Sequence, residues 1–438
     1  MENENQTLSV LELVEKDRVH KRVYTDPDVF DQEMKNVFGK AWIYVGHESQ
    51  VKNPGDFYTT TIGTEKVILV RHQDESLHVL YNRCPHRGAQ LVVATTGHVS
   101  NFRCLYHGFT FATDGKLKAI PLESGYEGTS FSRCNHQTSV KPVASVESYR
   151  GFVFARLSEE GTDLQTWLGA TKASFDNLCD RAPEGELEVV GPPILHVNNC
   201  NWKFILENIT DALHVVSTHQ SVSGPAKVLA KKGFDNEDLP AILDMLIPFG
   251  NSYNFFDKME QTVDGLGHCF LEGQNIHSNY KEDPDYLEAM RAHYDDEKLS
   301  RTLSLQRQNT LLYPSVSFKT NLQSMRVFRP VSVNKTILET WTFRLKGAPD
   351  EMLKRTVLYN KTLFSPSSMA AHDDAEAFAR AQIALSGDGH DWVSLHRYLN
   401  ADRENADGTV TAPGTSDLPL RHQYQAWKRY MNNSGEPR

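Results

Sequence analysis

At 438 residues the chain is long enough for two or three domains and a large buried core. Charged residues at 23%, hydrophobic residues at 39% and a net charge of −10 describe an ordinary globular protein and argue against a dedicated nucleic-acid or membrane-surface binder. No apolar run approaches a membrane span, and the opening Met1-Glu2-Asn3-Glu4-Asn5-Gln6 lacks the basic start and apolar stretch of an export signal, so a cytoplasmic protein is expected.

Residues 1–25 read as a polar lead-in with a short amphipathic piece around Val10 to Val14. A helix follows, with Asp26 as cap, Pro27 at the first position, and Phe30, Met34, Val37 and Phe38 on one face. From Trp42 to about Ala155 short β-branched and aromatic runs predict strands at Phe57–Ile62, Lys66–Arg71, Leu77–Asn82 and Tyr149–Arg156. Past Ser158 the pattern is mixed. Leu187–Val197 and Trp202–Ile205 read as extended or transitional, Asp211–His219 as helical, and Pro284–Gln308 as charged and helix-prone. Strands are expected at Thr310–Phe318, Met325–Val333 and Thr336–Leu345. Helices should begin near Pro349 and Ser367, the second running through Asp374 towards Leu385. A loop at 402–417 and a helix at Leu420–Met431 complete the chain.

Six cysteines, Cys84, Cys104, Cys134, Cys179, Cys200 and Cys269, are too few for a disulfide scaffold in a chain of this length. The last four read as buried free thiols. The first two belong to a motif, Cys84-Pro85-His86-Arg87-Gly88 followed by Cys104-Leu105-Tyr106-His107-Gly108, with seventeen residues between His86 and Cys104. Two sulfurs and two imidazoles suit a tetrahedral zinc site or an iron–sulfur cluster in which two histidines replace two cysteines on one iron. The alternating order Cys, His, Cys, His favours the cluster, because zinc sites usually keep like ligands together. In extended chain Cys-x-His puts both side chains on one face, and the glycine past each histidine fits two hairpin tips facing each other.

A second constellation is Asp211-x-x-His214-x-x-x-x-His219. It resembles part of a site in which two histidines and a carboxylate hold iron, although ordinary helix residues are the bland reading. At 3.6 residues per turn His219 lies about 140° round from His214, so a shared metal requires the helix to end, tighten or bulge between them. The missing ligand must come from elsewhere, and by chemistry Asp373, Asp374 or Glu376 could serve.

Together these motifs, with Asn201-Trp202-Lys203 and Glu207-Asn208, resemble the catalytic α (large) subunit of Rieske non-haem iron aromatic ring-hydroxylating oxygenases. The resemblance covers most of the chain. It implies an α+β protein with a helical segment (1–41) packing on the catalytic domain, a β-rich Rieske domain (42–157), and a helix-grip-like catalytic domain (158–438) with an antiparallel sheet and flanking helices. It implies that Cys84, Cys104, His86 and His107 hold a 2Fe-2S cluster, and that His214, His219 and Asp374 hold a mononuclear Fe(II). Asp374 is preferred over Asp373 because the family's ligand is usually the second of such a pair. Asp211 is expected to bridge a neighbouring subunit's cluster histidine to His214, with Asn208 in support. Leu105 and Phe109 stand where the family often has proline and tryptophan, and both are expected to keep apolar packing.

The implied activity is a terminal oxygenase component using dioxygen and electrons from a reductase, with or without a ferredoxin, to hydroxylate an aromatic compound. cis-Dihydroxylation is favoured over monooxygenation or demethylation. A homotrimer, or an α3β3 assembly with a small β subunit, is expected. Ile209, Leu213, Val215 and Val216 are candidate pocket walls, while Arg326 and Arg329 have no assignable place. Two other classes compete: a Rieske electron-transfer protein, which needs no mononuclear iron site, and a zinc-stabilised binding protein.

Overall fold

The computed structural model describes residues 8–131, 136–233, 239–273, 283–305 and 307–432. Cys134 lies outside them. The chain divides into two compact units, Phe38–Leu164 and the combination of Met1–Val37 with Gln165–Arg438. Among the described residues no helix is long and apolar enough to cross a membrane.

The unit Phe38–Leu164 is built from small antiparallel sheets. One runs Leu77–Tyr81, Glu65–Arg71, Asp56–Ile62, Thr96–His98. A second runs Ser145–Tyr149, Phe152–Arg156, Ile43–His47. The strand expected over Tyr149–Arg156 is therefore a hairpin, turning through Arg150 and Gly151, both at positive φ. A third, of strands Phe102–Arg103, Thr110–Phe111 and Leu117–Ala119, carries the second Cys/His loop at its tip. Phe57, Ile68, Leu80, Phe102, Phe109 and Phe111 form one buried cluster that includes Cys84 and Cys104.

The larger unit is organised on a ten-stranded antiparallel sheet. Leu187–Val189 and Ile194–Asn198 both pair with Lys335–Leu345, splitting the extended segment expected at 187–197 at Gly191-Pro192-Pro193. Ser324–Ser332, Val316–Lys319, Arg307–Leu312, Cys269–Glu272, Glu260–Val263, Val410–Pro413 and Arg403–Glu404 follow in order. The expected strand Thr310–Phe318 is two strands, because Pro314 lacks an N–H for the ladder and Ser315 N donates to Leu312 O to close a turn. Gln308 belongs to the first of these strands, whereas the helical sequence before it forms Pro284–Arg291 and Asp296–Ser304. The 402–417 loop also supplies two strands to the sheet edge.

Seven helices of this unit carry the site residues or brace the elements that do. Helix α1 (Pro27–Asn36) starts where expected, the Asp26 side chain accepting from Asp28 N. Helix α2 (Trp202–Thr210) corrects the extended reading of 202–205. Asn201 caps it by accepting from Lys203 N, and Trp202, Ile205, Leu206 and Ile209 fall at i, i+3, i+4 and i+7 on its buried face. Then come α3 (His214–Thr218), α4 (Gln220–Gly233), α5 (Asp350–Phe364), α6 (Met369–Leu385) and α7 (Leu418–Met431). Asn360 pins α5 to the sheet, accepting from Ser324 Oγ at 2.6 Å and donating to Thr342 Oγ1 at 2.8 Å. Buried Glu33 of α1 binds three donors: Lys203 Nζ at 2.5 Å, Trp202 Nε1 at 2.8 Å and Trp427 Nε1 at 2.7 Å. One carboxylate thus ties α1, α2 and α7 together.

Candidate active site

The two Cys/His loops are built alike. Gly88 N donates to Cys84 O at 2.9 Å and Gly108 N to Cys104 O at 3.0 Å, while Cys84 N and Cys104 N each donate at 2.8 Å to the residue after the glycine, Ala89 and Phe109. Both glycines are left-handed, at φ +75° and +72°. This conformation turns the chain back at once, so that cysteine and histidine of each loop face the other pair. Cys84 and Cys104 lie in one buried cluster, and the rings of His86 and His107 lie 4.7 Å apart, edge to face.

The donor set fits a cluster. His86 stacks on Phe109 at 4.4 Å and places Nε2 3.2 Å from the Tyr126 hydroxyl, leaving Nδ1 buried without a hydrogen-bond partner. A buried ring nitrogen in that state is costly unless something binds it. Burial pushes the Cys84 thiol up to about 11, so a thiolate there needs a metal ion beside it. Phe109 keeps the apolar packing expected of it. Leu105 does not: it is 77% exposed at the loop tip, where no core reaches it.

In the larger unit the chain leaves α2 at Asp211, which is extended at φ −93°, ψ 107°, and re-enters helix at His214. Asp211 Oδ1 accepts from Leu213 N at 2.6 Å and stabilises the new start. Helix α3 stops at Thr218, and His219 sits at its C-cap before α4 begins. The break that a shared metal requires is therefore present. With helical phase interrupted, His214 Nε2 lies 3.7 Å and His219 Nε2 3.5 Å from Asp374 Oδ1 of α6.

Ligand atoms of His214, His219 and Asp374 all lie within 4.8 Å of one another, which among the described residues no other group of three such side chains achieves. Both histidines leave Nδ1 buried and without a hydrogen bond. Asn208 Nδ2 donates to the same Asp374 Oδ1 at 3.1 Å. Asp373 meets the other ring nitrogen of His219, its Oδ2 lying 3.6 Å from His219 Nδ1 and accepting from Ser221 Oγ at 2.6 Å. Glu376 pairs with Arg380 at 2.7 Å on the helix surface. Burial would lower His214, but Asp211, 3.7 Å from its Nδ1, and Asp374 hold it above the ordinary histidine value. Burial lowers His219. Two imidazoles and one carboxylate converging on one point suit a divalent iron, and all three side chains line one cleft.

That cleft holds about 710 Å³, open solvent at its mouth included. Ile209 and Val215 line it, as expected, but Leu213 and Val216 do not. The helix break resets the face that a continuous helix would present, and Val216 packs instead on the cluster of Ala212, Phe256, Met259 and Leu271. Sequence reasoning missed much of the wall, including Phe249, Phe256, Leu271, Asn309, Lys319, Tyr359 and Phe364, with Arg326 now placed among them. A signal existed at Lys319 and Arg326, since each interrupts a run of strand-forming residues where charge is rarely buried.

Residues 41–145 match the Rieske [2Fe-2S] domain, and residues 176–433 match the ring hydroxylating alpha subunit (catalytic domain). The chain is 32% identical over 439 residues to toluate 1,2-dioxygenase subunit alpha of Pseudomonas putida, covering 94% of this chain and 91% of that one. It is 29% identical over 435 residues to benzene 1,2-dioxygenase subunit alpha of Pseudomonas putida strain F1, covering 95% and 91%. Its fold matches that of naphthalene 1,2-dioxygenase with indole bound in the active site, at a TM-score of 0.81 and 24% identity, over 98% of this chain and 95% of the other.

Proposed function

Because the chain belongs to the family of ring-hydroxylating alpha subunits that carry a Rieske [2Fe-2S] domain, we propose that it is the terminal oxygenase component of a multicomponent enzyme that hydroxylates an aromatic compound, most simply by cis-dihydroxylation. The convergence of His214, His219 and Asp374 beside the cleft is the observation that carries this reading. A Rieske electron-transfer protein has no use for that second site.

In this reading Cys84, Cys104, His86 and His107 hold the 2Fe-2S cluster, and His214, His219 and Asp374 hold the mononuclear iron. When bound, the two centres supply one-electron delivery and a site for dioxygen activation. The chain's own residues do the rest. Asn208 fixes the Asp374 carboxylate, Asp211 orients His214, and the apolar side chains of the cleft exclude water from the reacting face. Asp211 keeps 36% of its side chain exposed, which supports a contact with a neighbouring subunit.

A reductase, with or without a ferredoxin, supplies the electrons, and the working assembly is a trimer or an α3β3 hexamer. A cytoplasmic location belongs to the same reading and is supported by the five described cysteines, none of which is in a disulfide. Aerobic turnover of an aromatic panel with a surrogate reductase tests the proposal. Hydroxylated product is expected, and electron acceptance with no oxygen-dependent product from any arene would contradict it.

A further inference from the structure

Two buried cations line the cleft without an ion pair, although the charge of Asp374 in the same cleft acts on Arg326. Arg326, 9% exposed, projects from Ser324–Ser332, and its Nη2 donates to Asn309 Oδ1 at 3.2 Å and Ser317 Oγ at 3.1 Å. Its guanidinium lies 5.0 Å from the centre of the Phe364 ring. Lys319, 7% exposed on the neighbouring strand, donates from Nζ to Gln308 O at 2.8 Å. Among the described residues neither makes an ion pair. Three other buried cations of this unit contrast with them: Lys203 has Glu33, Arg329 has Glu339 and Arg421 has Asp402.

Burying one unpaired cation is costly, and two of like sign in one cleft are more so. Burial pushes Lys319 down to about 7, and Arg326 pushes it the same way. A divalent iron at His214, His219 and Asp374 would add positive charge that the single carboxylate offsets only in part. Both cations also keep donors to spare, since the contacts above engage Nη2 alone on the guanidinium. Planar carboxylates suit such a fork. The same cleft is also lined by the apolar Ile209, Val215, Phe256 and Leu271.

We propose that the substrate is an aromatic carboxylate whose carboxylate binds Arg326 and Lys319 and whose ring lies against Ile209, Val215, Phe256 and Leu271. The inference rests on the oxygenase reading and names its substrate class. A neutral arene of the same size would leave Arg326 without an anion and Lys319 only partly protonated, so the cleft discriminates by charge before shape.

The test titrates the metal-loaded chain by calorimetry with benzoate, salicylate and 2-naphthoate, and with the carboxamide of each. At least one carboxylate should bind about tenfold or more tighter than its amide, as expected for a charge-assisted pair. Arg326→Gln should weaken carboxylate binding far more than amide binding and so remove that preference. Equal or tighter amide binding, no carboxylate bound at millimolar concentration, or an unchanged preference in Arg326→Gln would each overturn the proposal. So would benzenesulfonate bound more tightly than every carboxylate. The comparison within the unsubstituted protein stands even where the variant misfolds. Iron content and oxygen-dependent turnover, measured in parallel, separate the two levels: an iron-loaded enzyme that prefers neutral arenes loses only the carboxylate assignment, whereas a chain without iron or turnover loses the oxygenase reading itself.

Discussion

Asn208 donates to the one carboxylate oxygen that both histidines approach, so its amide sets where Asp374 stands. Removing it in Asn208→Ala should weaken the mononuclear iron about 10- to 100-fold, the usual effect of losing a partner that orients a ligand. Iron analysis after dialysis against a weak chelator checks this, with the visible spectrum of the cluster unchanged. Retention of all iron under those conditions would refute the orienting role. At the cluster loops, Gly108 is held at φ +72°, and a Cβ there would stand 3.1 Å from Pro121 Cγ. Gly108→Ala should therefore cost about 1–2 kcal/mol from the left-handed backbone alone. A thermal midpoint equal to that of the parent would contradict the strain.

Element by element, the site depends on where helices stop. The interruptions at Asp211 and His219 bring two histidines five residues apart onto one point, and α6 brings in Asp374. The need for a break was legible from helical periodicity, and the Cys/His loops were legible because their ligands are local in sequence. Asp374, 160 residues beyond His214, was reached only through the family resemblance. Arg326 and Lys319 escaped placement because their strands are buried on both faces, so alternation carried no information about which side meets the cleft.

The anchoring of α2 makes two predictions. Lys203→Met leaves Glu33 buried without its cation and should cost about 3–5 kcal/mol, whereas Lys203→Met with Glu33→Gln should cost much less. Urea denaturation of Lys203→Met, Glu33→Gln and the double variant decides, and a double variant as unstable as the sum of the singles would refute the coupling. Glu207, also on α2, accepts from Tyr24 Oη at 2.9 Å and from Tyr424 Oη. Burial pushes it up to about 7 from 4.5, with Asp211 adding to the rise and the two tyrosines and Lys203 opposing it. The folded state then holds the proton more tightly than the unfolded chain does. Its contribution is intact below about 4.5 and stability falls as pH rises from there towards about 7. Glu207→Gln should flatten that part of the profile between pH 5 and 8, and an unaltered slope in its urea midpoints would contradict the burial argument.

At the scale of the whole molecule, one unit carries the two Cys/His loops and the other the convergent His214, His219 and Asp374. The bridging role proposed for Asp211 predicts that Asp211→Ala retains cluster and iron yet loses turnover by orders of magnitude. Normal activity in that variant would remove the bridge. The most direct test of the account is to purify the chain with both metal centres, count them, and run a turnover under ¹⁸O₂ with an aromatic carboxylate. The account predicts about three irons per chain, two in the cluster and one at the mononuclear site, and a cis-diol carrying label at both new hydroxyls. A colourless zinc protein, or a two-iron protein that passes electrons and leaves every arene unoxidised, would contradict it.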